Sequence, residues 1–399
     1  MIKGYQYRIY PNKEQTQQIN QMLGNARFVY NWALDRRIKE YQSEKKSISA
    51  FTIMTELTQL KKQDDFEWLQ LSVAQSLQQS IVNMDKAFTR FFKQKKGFPK
   101  FKSKHIGTHH VGFPQNTKID FEINKISLPK IGWIKTKISR SFDGKIKTAT
   151  IKKTPTNKYF VSITVELPNV KIKQKTISKK NAVGIDTGIK TFAVLSDGTE
   201  IENPKHLKNS IKRLKVLQRR ASKKQKGSAN RRKANLKVAI LHESITNQRL
   251  DFLHKTTTSI AKKYDTVACE NLNIAGMVKN HKLAQSISDL GLGRFYTLFE
   301  YKMKEQGGNY LEIGRFQPSS KMCSCGVINK DLKLSDRIWT CKSCNTTHDR
   351  DVLASQNILR FALNPKNKTT DGMSGIAYGS AGVSRADEVG TVDVRSLRS

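Results

Sequence analysis

The stretch AVGIDTGIKTFAVLSDGTEI, residues 182–201, decides how this chain is read. An apolar run, Ala182-Val183-Gly184-Ile185, ends in Asp186, and a Thr-Gly pair follows. Two strands around a tight turn fit this pattern, with a second turn at Asp197-Gly198. An acid that closes a buried strand is poorly placed for solubility and well placed for a metal ion. The arrangement recurs in TVACE, 266–270, where Glu270 closes the run. A third acid, Asp351, lies in HDRDVLASQNIL, 348–359, where a helical pattern starts. Hard divalent cations take oxygen ligands, so carboxylates from separate elements would converge on them. Phosphodiester hydrolysis needs an activated water and stabilised charge on the attacked phosphate, and two Mg2+ ions about 4 Å apart supply both. The residue pattern leaves two alternatives open. These acids are metal ligands, or they are salt-bridge partners at strand ends with Asp351 serving as a helix N-cap.

Composition narrows the partner class. The 399 residues carry 72 Lys+Arg against 33 Asp+Glu, a formal net charge of +39. Such a charge repels itself in a compact state, and a polyanion such as DNA or RNA compensates it. The start, MIKGYQYRIYPNKEQ, has no apolar core of a signal peptide, and no stretch approaches ~20 uninterrupted apolar residues, so neither secretion nor a membrane span is expected. Four of the five cysteines fall between 323 and 344, which indicates metal chemistry in a reducing compartment rather than disulfides.

Upstream of the acidic strand, residues 2–10 alternate like a strand that Pro11-Asn12 ends. A helical period runs from about 13 to 45 through Ile19, Met22, Leu23, Ala26, Val29, Tyr30 and Ala33, and a second from about 72 to 95 through Val73, Leu77, Ile81, Met84, Phe88 and Phe91. Gln75 and Gln79 sit four apart on another face of that second helix. A basic aromatic segment, GFPKFKSK (97–104), follows, and His105, His109 and His110 form a loose cluster suited to nucleic-acid contact or to a plain loop. From 111 to 168 the pattern is mostly β, and the polar, basic stretch 169–181 is expected to be a linker. Downstream, no acid occurs between Glu202 and Glu243 while lysines and arginines recur through a helical pattern. The second half is expected to run β-β-α-β-α. From 366 the chain is rich in Gly, Ser and Thr, and is expected to be disordered.

Cys341-Lys-Ser-Cys344 has the spacing of a zinc knuckle, and its partner Cys323-Ser-Cys325 is one residue shorter than usual. Four thiolates would hold a structural Zn2+. The alternatives are His348 replacing one thiolate, or a metal-free ribbon packed around Trp339 and Leu334. Cys269 reads as a small buried strand residue.

Taken in order, GIDTGIKTFAVLSDG, ENLNIAGM, RFQPSSKMCSCG and HDRDVLASQNIL resemble the TnpB family, compact nucleases of bacterial insertion sequences related to type V CRISPR effectors. LHESITNQRLDFLHK, LAQSISDLGLGRFYTLFEYK, LGNARFVYNWAL and AFTRFFKQKKGFPKFKSK add to the resemblance, which covers roughly 1–362. It implies an α/β plus β architecture. A RuvC-like, RNase H-type nuclease domain would occupy 179–318 and 348–365, with a zinc-ribbon insertion at 319–347. A wedge β-barrel would occupy 1–11 and 111–178, carry a helical recognition insertion at 12–110, and leave 366–399 as the tail. The implied activity is guided, metal-dependent cleavage of double-stranded DNA, with Asp186, Glu270 and Asp351 as catalytic acids on Mg2+ or Mn2+. The implied partners are a guide RNA from the transposon end, the DNA duplex, and a separate transposase from the same element, in the bacterial cytoplasm at the nucleoid. A guided DNA-binding repressor or transposition regulator without cutting is the alternative, and retention of all three acids favours the enzyme. The family's D-x-N-A-A-x-N pattern departs here, because Leu353 stands where the first Asn is usual and Asn357 keeps the second.

In guided enzymes base pairing reads sequence, while protein reads a short duplex motif and the backbone. Gln75, Ser76 and Gln79 are the candidates for reading that motif, since Gln pairs bidentately with adenine. Lys100, Lys102, Arg219, Arg220, Arg231 and Arg232 suit phosphate contacts. The alternative for both groups is a solvated helix face.

Overall fold

The computed structural model describes residues 1–104, 109–168, 172–333 and 335–364. The chain divides into two compact units that part near residue 170. His105 and the stretch from 366 onward lie outside the described residues.

In the first unit β1 (Ile2–Tyr10) leads into α1 (Lys13–Glu44), α2 (Ala50–Leu60), a 3-10 segment (Asp64–Leu71) and α3 (Ala74–Gln94). Then come β2 (His109–Phe113), β3 (Lys118–Asp120), β4 (Lys125–Leu128), β5 (Gly132–Lys137), β6 (Lys145–Lys153) and β7 (Tyr159–Glu166). The strands form one seven-stranded sheet in the order β2-β6-β7-β1-β5-β4-β3, with every pair antiparallel. β1 alternates as its sequence predicts, burying Tyr5, Tyr7 and Ile9.

The helices lie in sequence between β1 and β2. Asn12 starts α1 with a capping box: its side chain accepts from the Gln15 amide at 2.8 Å while its own amide donates to Gln15 Oε1 at 3.1 Å. α1 serves two cores. Ile19, Met22, Leu23 and Ala26 pack on the sheet, whereas Val29, Tyr30, Ala33 and Leu34 pack with Leu77, Ile81 and Met84 of α3. α2 was not anticipated from periodicity. Its marker is Ser49, which accepts from the Thr52 amide at 3.0 Å as N-cap.

In the second unit β8 (Ala182–Thr187), β9 (Thr191–Leu195) and β10 (Glu200–Glu202) precede two long helices, α4 (His206–Ser222) and α5 (Ala229–Lys263). β11 (Thr266–Glu270) follows, then α6 (Ile274–Met277), α7 (Ala284–Leu290), α8 (Leu292–Glu305) and β12 (Asn309–Ile313). A ribbon hairpin of β13 (Ile338–Thr340) and β14 (Thr347–Asp349) leads into α9 (Arg350–Leu363). The five-stranded sheet runs β10-β9-β8-β11-β12. β8, β11 and β12 are parallel, and the β8-β9-β10 meander is antiparallel. The anticipated β-β-α-β-α order lacked β10, β12 and the extra helices.

Residues 172–181 do not behave as a free linker. The Lys175 amide donates to the Gly307 carbonyl at 2.7 Å, Lys175 Nζ reaches Asp265 at 2.6 Å, and Lys179–Asn181 form a 3-10 turn. This stretch is therefore tied along the edge of the second unit.

Strand alternation sorts the second core. Val183, Ile185, Val267 and Cys269 face Leu253 and Ile260 of α5 and Phe295 and Phe299 of α8. Ala268 faces the other way, against Ile358 and Phe361 of α9. Covered on both faces, β8 and β11 read as continuous apolar runs.

Candidate active site

Asp186 and Glu270 share the α9 face of the sheet, because each is one residue past an α5-facing position. Their strands are parallel and pair Cys269 with Ile185, so the two acids lie side by side at adjacent carboxyl ends, about 4.8 Å being the strand spacing. Gly184 brings α9 to them. A β-carbon at Gly184 would meet the Ser355 carbonyl oxygen at 2.0 Å and the Leu359 amide at 2.8 Å, so the helix backbone rests directly on the strand. Two strand residues forward from Gly184 is Asp186, a rise of about 6.7 Å. Four helical residues back from Ser355 is Asp351, a rise of about 6 Å. The third acid therefore arrives at the height of the first.

The electrostatics record this convergence. Burial, followed by the charges of Glu270 and Asp351, pushes the Asp186 carboxyl up to about 8, against a smaller pull from Arg350 and the Thr187 amide. Like charges crowded in this way hold a proton until a cation takes its place.

Each neighbouring acid has a partner. Ser319 Oγ donates to Glu270 Oε1 at 2.6 Å, and Arg337 Nη1 donates to Asp351 Oδ2 at 2.5 Å. The helix cap is not Asp351. Asp349 accepts from the amides of Asp351 and Val352, both at 3.0 Å, leaving the Asp351 carboxylate free of that duty. Asn357, buried in α9, donates to the carbonyls of Ser319 and Met322 at 2.7 and 2.6 Å, and so fixes the segment whose hydroxyl orients Glu270. Sequence reasoning missed Ser319, Arg337 and Gly184 as contributors. Only the glycine carried a local signal, an unexplained Gly within an apolar strand.

The four cysteines gather as expected. The sulfurs of Cys323, Cys325, Cys341 and Cys344 all lie within 4.8 Å of one another. Cys323 and Cys344 sulfurs are 3.5 Å apart, and Cys325 and Cys341 are 3.7 Å apart. Tetrahedral Zn–S bonds of about 2.3 Å require sulfur separations near 3.8 Å, so this donor set fits zinc. The shortened Cys323–Cys325 pair closes through Gly326, whose φ of 96° only glycine adopts readily and whose amide donates to the Cys323 carbonyl. Backbone amides of Cys344 and then Ser343 hold the Cys341 thiol below its usual range. His348 Nε2 lies 3.0 Å from Cys323 Sγ, the place of a hydrogen-bonding neighbour to a complete thiolate set rather than a substitute for one. Leu353 packs with Cys323, Trp339 and Cys341, so the departure at that position anchors α9 to the ribbon. Leu334 lies outside the described residues.

The nucleic-acid candidates separate. Gln75 and Gln79 are partly exposed on α3, bonded to Gln115 and Asn83, while Ser76 is 1% exposed and faces inward. Ser76 is corrected from a surface contact to an interior residue, because the i, i+3 spacing of α3 turns it toward the core. Lys100 is exposed, but Lys102 is not a solvated cation. Asn31 clasps its backbone from both sides, its ammonium lies 3.8 Å from the Tyr30 ring centre, and burial brings its pKa down to about 8. Arg219, Arg220 and Arg232 are exposed, and Arg231 donates to the Lys224 carbonyl at 2.9 Å. An open groove of about 700 Å³ runs between α4 and α5, lined by Lys212, Arg213, Arg220 and Lys237 around Val216 and Ile240. His109 and His110 belong to β2 rather than to a loop.

This sheet order, with acids at the carboxyl ends of adjacent strands and a cysteine ribbon entering α9, defines the class as a RuvC-type α/β fold. The chain is similar over 365 residues (34% identity, 90% of this chain and 89% of the relative) to a Streptomyces pristinaespiralis protein provisionally named an RNA-guided DNA endonuclease. Over 373 residues it is 30% identical to Escherichia coli K12 InsQ, which carries the same provisional name, covering 90% and 92% of the two chains. Residues 161–281 match the OrfB family of IS605 elements, described as a probable transposase, and residues 293–358 match a Cas12f1-like TNB domain. Residues 1–46 match a model described as a helix-turn-helix domain, although here they form one strand and one long helix. A solved complex of Cas12f1 with guide RNA and target DNA shares the fold, with a TM-score of 0.56 at 16% identity over 92% of this chain and 99% of that one. The chain belongs to the TnpB family. Among the described residues no helix is long and apolar enough to cross a membrane.

Proposed function

We propose that this protein is an RNA-guided, metal-dependent endonuclease of double-stranded DNA, encoded by a transposable element and guided by an RNA from the element's end. The observation that carries the reading is the convergence of Asp186, Glu270 and Asp351 where α9 docks on adjacent strand ends, a place where burial, and then the charges of Glu270 and Asp351, push the Asp186 carboxyl up to about 8. A structural role would leave such acids paired with cations, whereas of the three only Asp351 has an ion-pair partner among the described residues, Arg337, and a binder that does not cut would gain nothing from crowding them. Asp186, Glu270 and Asp351 would hold two Mg2+ or Mn2+ ions. When bound, the ions supply Lewis acidity and an activated water for phosphodiester hydrolysis. The chain's own residues prepare the site: Asp186 gives up its proton, Ser319 aims Glu270, and Arg337 balances Asp351 until the acid is needed.

The remaining assignments belong to the same proposal. The expected bounds shift with the fold: residues 1–11 and 109–168 form the wedge module, 12–104 its recognition insertion, 172–318 and 348–364 the nuclease domain, and 319–347 the zinc ribbon held by Cys323, Cys325, Cys341 and Cys344. Gln75 and Gln79 read a short motif beside the target. Lys100, Arg219, Arg220 and Arg232 meet phosphates, and the +39 charge supports a nucleic-acid partner. A separate transposase from the element would join strands, and the bacterial nucleoid would be the site of action. The test is to express the element, sequence the RNA that co-purifies, and offer the complex a matched duplex library with randomised flanks. Metal-dependent cutting beside one flank motif is expected. Absence of bound RNA, or cutting that persists in excess EDTA, overturns the proposal.

A further inference from the structure

We propose that Phe316 is a stacking platform for an unpaired DNA base next to the scissile phosphate, a role that rests on the nuclease reading of the acids. Phe316 is 93% exposed, unusually so for a phenylalanine. It is not on a loose loop. The Gln317 amide donates to the Gly314 carbonyl at 3.2 Å, which closes a turn with Arg315 and Phe316 as its two central residues. On one side of the ring, the Arg315 guanidinium donates to the carbonyl and the side-chain oxygen of Asn271, each at 3.3 Å. Asn271 directly follows Glu270. On the other side, Ser319 Oγ holds Glu270 itself, and Asn357 holds the Ser319 carbonyl.

The turn is thus tethered on both flanks to residues 270–271, with the ring at its tip. Phe316 is three positions from Ser319 along the chain, a reach of at most about 10 Å. A ring held this firmly in water, this near the acids, gains nothing for the fold, since it buries almost no surface. It offers an apolar face to a base, and stacking accepts any base because each has a π-face. An intact duplex keeps its bases stacked on one another, so the platform selects an unpaired strand. Arg315, fixed beside the ring, stays as a cation for the adjoining backbone. Phe316 touches substrate without taking part in bond making.

The test uses the protein–RNA complex purified from cells carrying the element, with Ca2+ replacing Mg2+ to hold the strand uncut. The probe is a matched duplex with 2-aminopurine at successive positions along each strand. One or two adjacent positions should be quenched by the wild type and by Phe316→Trp, and should brighten in Phe316→Ala. In Mg2+, Phe316→Ala should cut about tenfold to a hundredfold more slowly. An abasic site at the quenched position should slow the wild type to the same rate and leave Phe316→Ala unchanged. Identical fluorescence profiles in wild type and Phe316→Ala overturn the platform. Position-specific quenching by a wild type that never cuts overturns the nuclease reading instead, and leaves the stacking contact standing.

Discussion

The backbone of Gly184 lies against that of Ser355 so closely that a β-carbon on the strand would come within 2.0 Å of the helix carbonyl. The clash is with backbone, which cannot swing aside as a side chain can. Gly184→Ala should therefore push α9 away from β8 and take Asp351 with it. We expect a loss of about 3 kcal/mol or more in stability, read by denaturant unfolding, together with loss of cutting. A fully stable, fully active Gly184→Ala protein would show that α9 docking does not set the site.

Removing the crowded acid itself separates chemistry from binding. Asp186→Ala should lower cutting by at least about a thousandfold, since metal-borne charge stabilisation is worth several kcal/mol. Guided binding of duplex, measured by gel shift, should stay within a few-fold of wild type. Continued cutting would remove Asp186 from the catalytic set.

Ser319 reaches Glu270 without standing among the three acids. Ser319→Ala leaves a carboxylate oxygen without its donor and should reduce metal affinity or cutting about tenfold to a hundredfold. The drop should shrink as Mn2+ is raised, because a loosened ligand is compensated by mass action. A drop independent of metal concentration would place the role of Ser319 elsewhere.

The ribbon should carry about one zinc per chain by elemental analysis of the purified protein. Cys344→Ser should lose that zinc and expose Trp339, which packs against Cys323 and Cys341, so its fluorescence should shift to the red. Zinc-free protein with an unchanged Trp339 environment would reject the metal.

Lys102 gives a pH signature. Its pKa is lowered to about 8 in the fold against an unfolded value near 10.5. Below pH 8 both states bind the proton and the fold bears the whole cost of the buried charge. Between about 8 and 10.5 the unfolded chain binds more protons, so stability rises with pH. Lys102→Met should accordingly be more stable than wild type at pH 7, by up to about 3 kcal/mol. Its advantage should fade toward pH 10.5. An advantage that is flat across this window would mean that Lys102 is not desolvated.

The sequence by itself determined the periodic elements and the local chemistry. β1, α1, α3, β8 and β11 follow from alternation and from helical spacing, and Asp186, Glu270 and the cysteine knuckle are marked by where apolar runs stop and by C-x-x-C spacing. Those signals are local, carried by residues a few positions apart. Only the tertiary structure decided that Asp349 caps α9 and leaves Asp351 beside Asp186, because capping and convergence depend on where α9 docks, and that is set by Gly184, far away in sequence. It likewise turned Ser76 and Lys102 inward, since a polar residue's exposure depends on what packs over it. The opening run Ala182–Asp186 thus holds both kinds of information. Its acid could be read directly, while its glycine acquired meaning only when a helix from the far end of the chain came to rest on it.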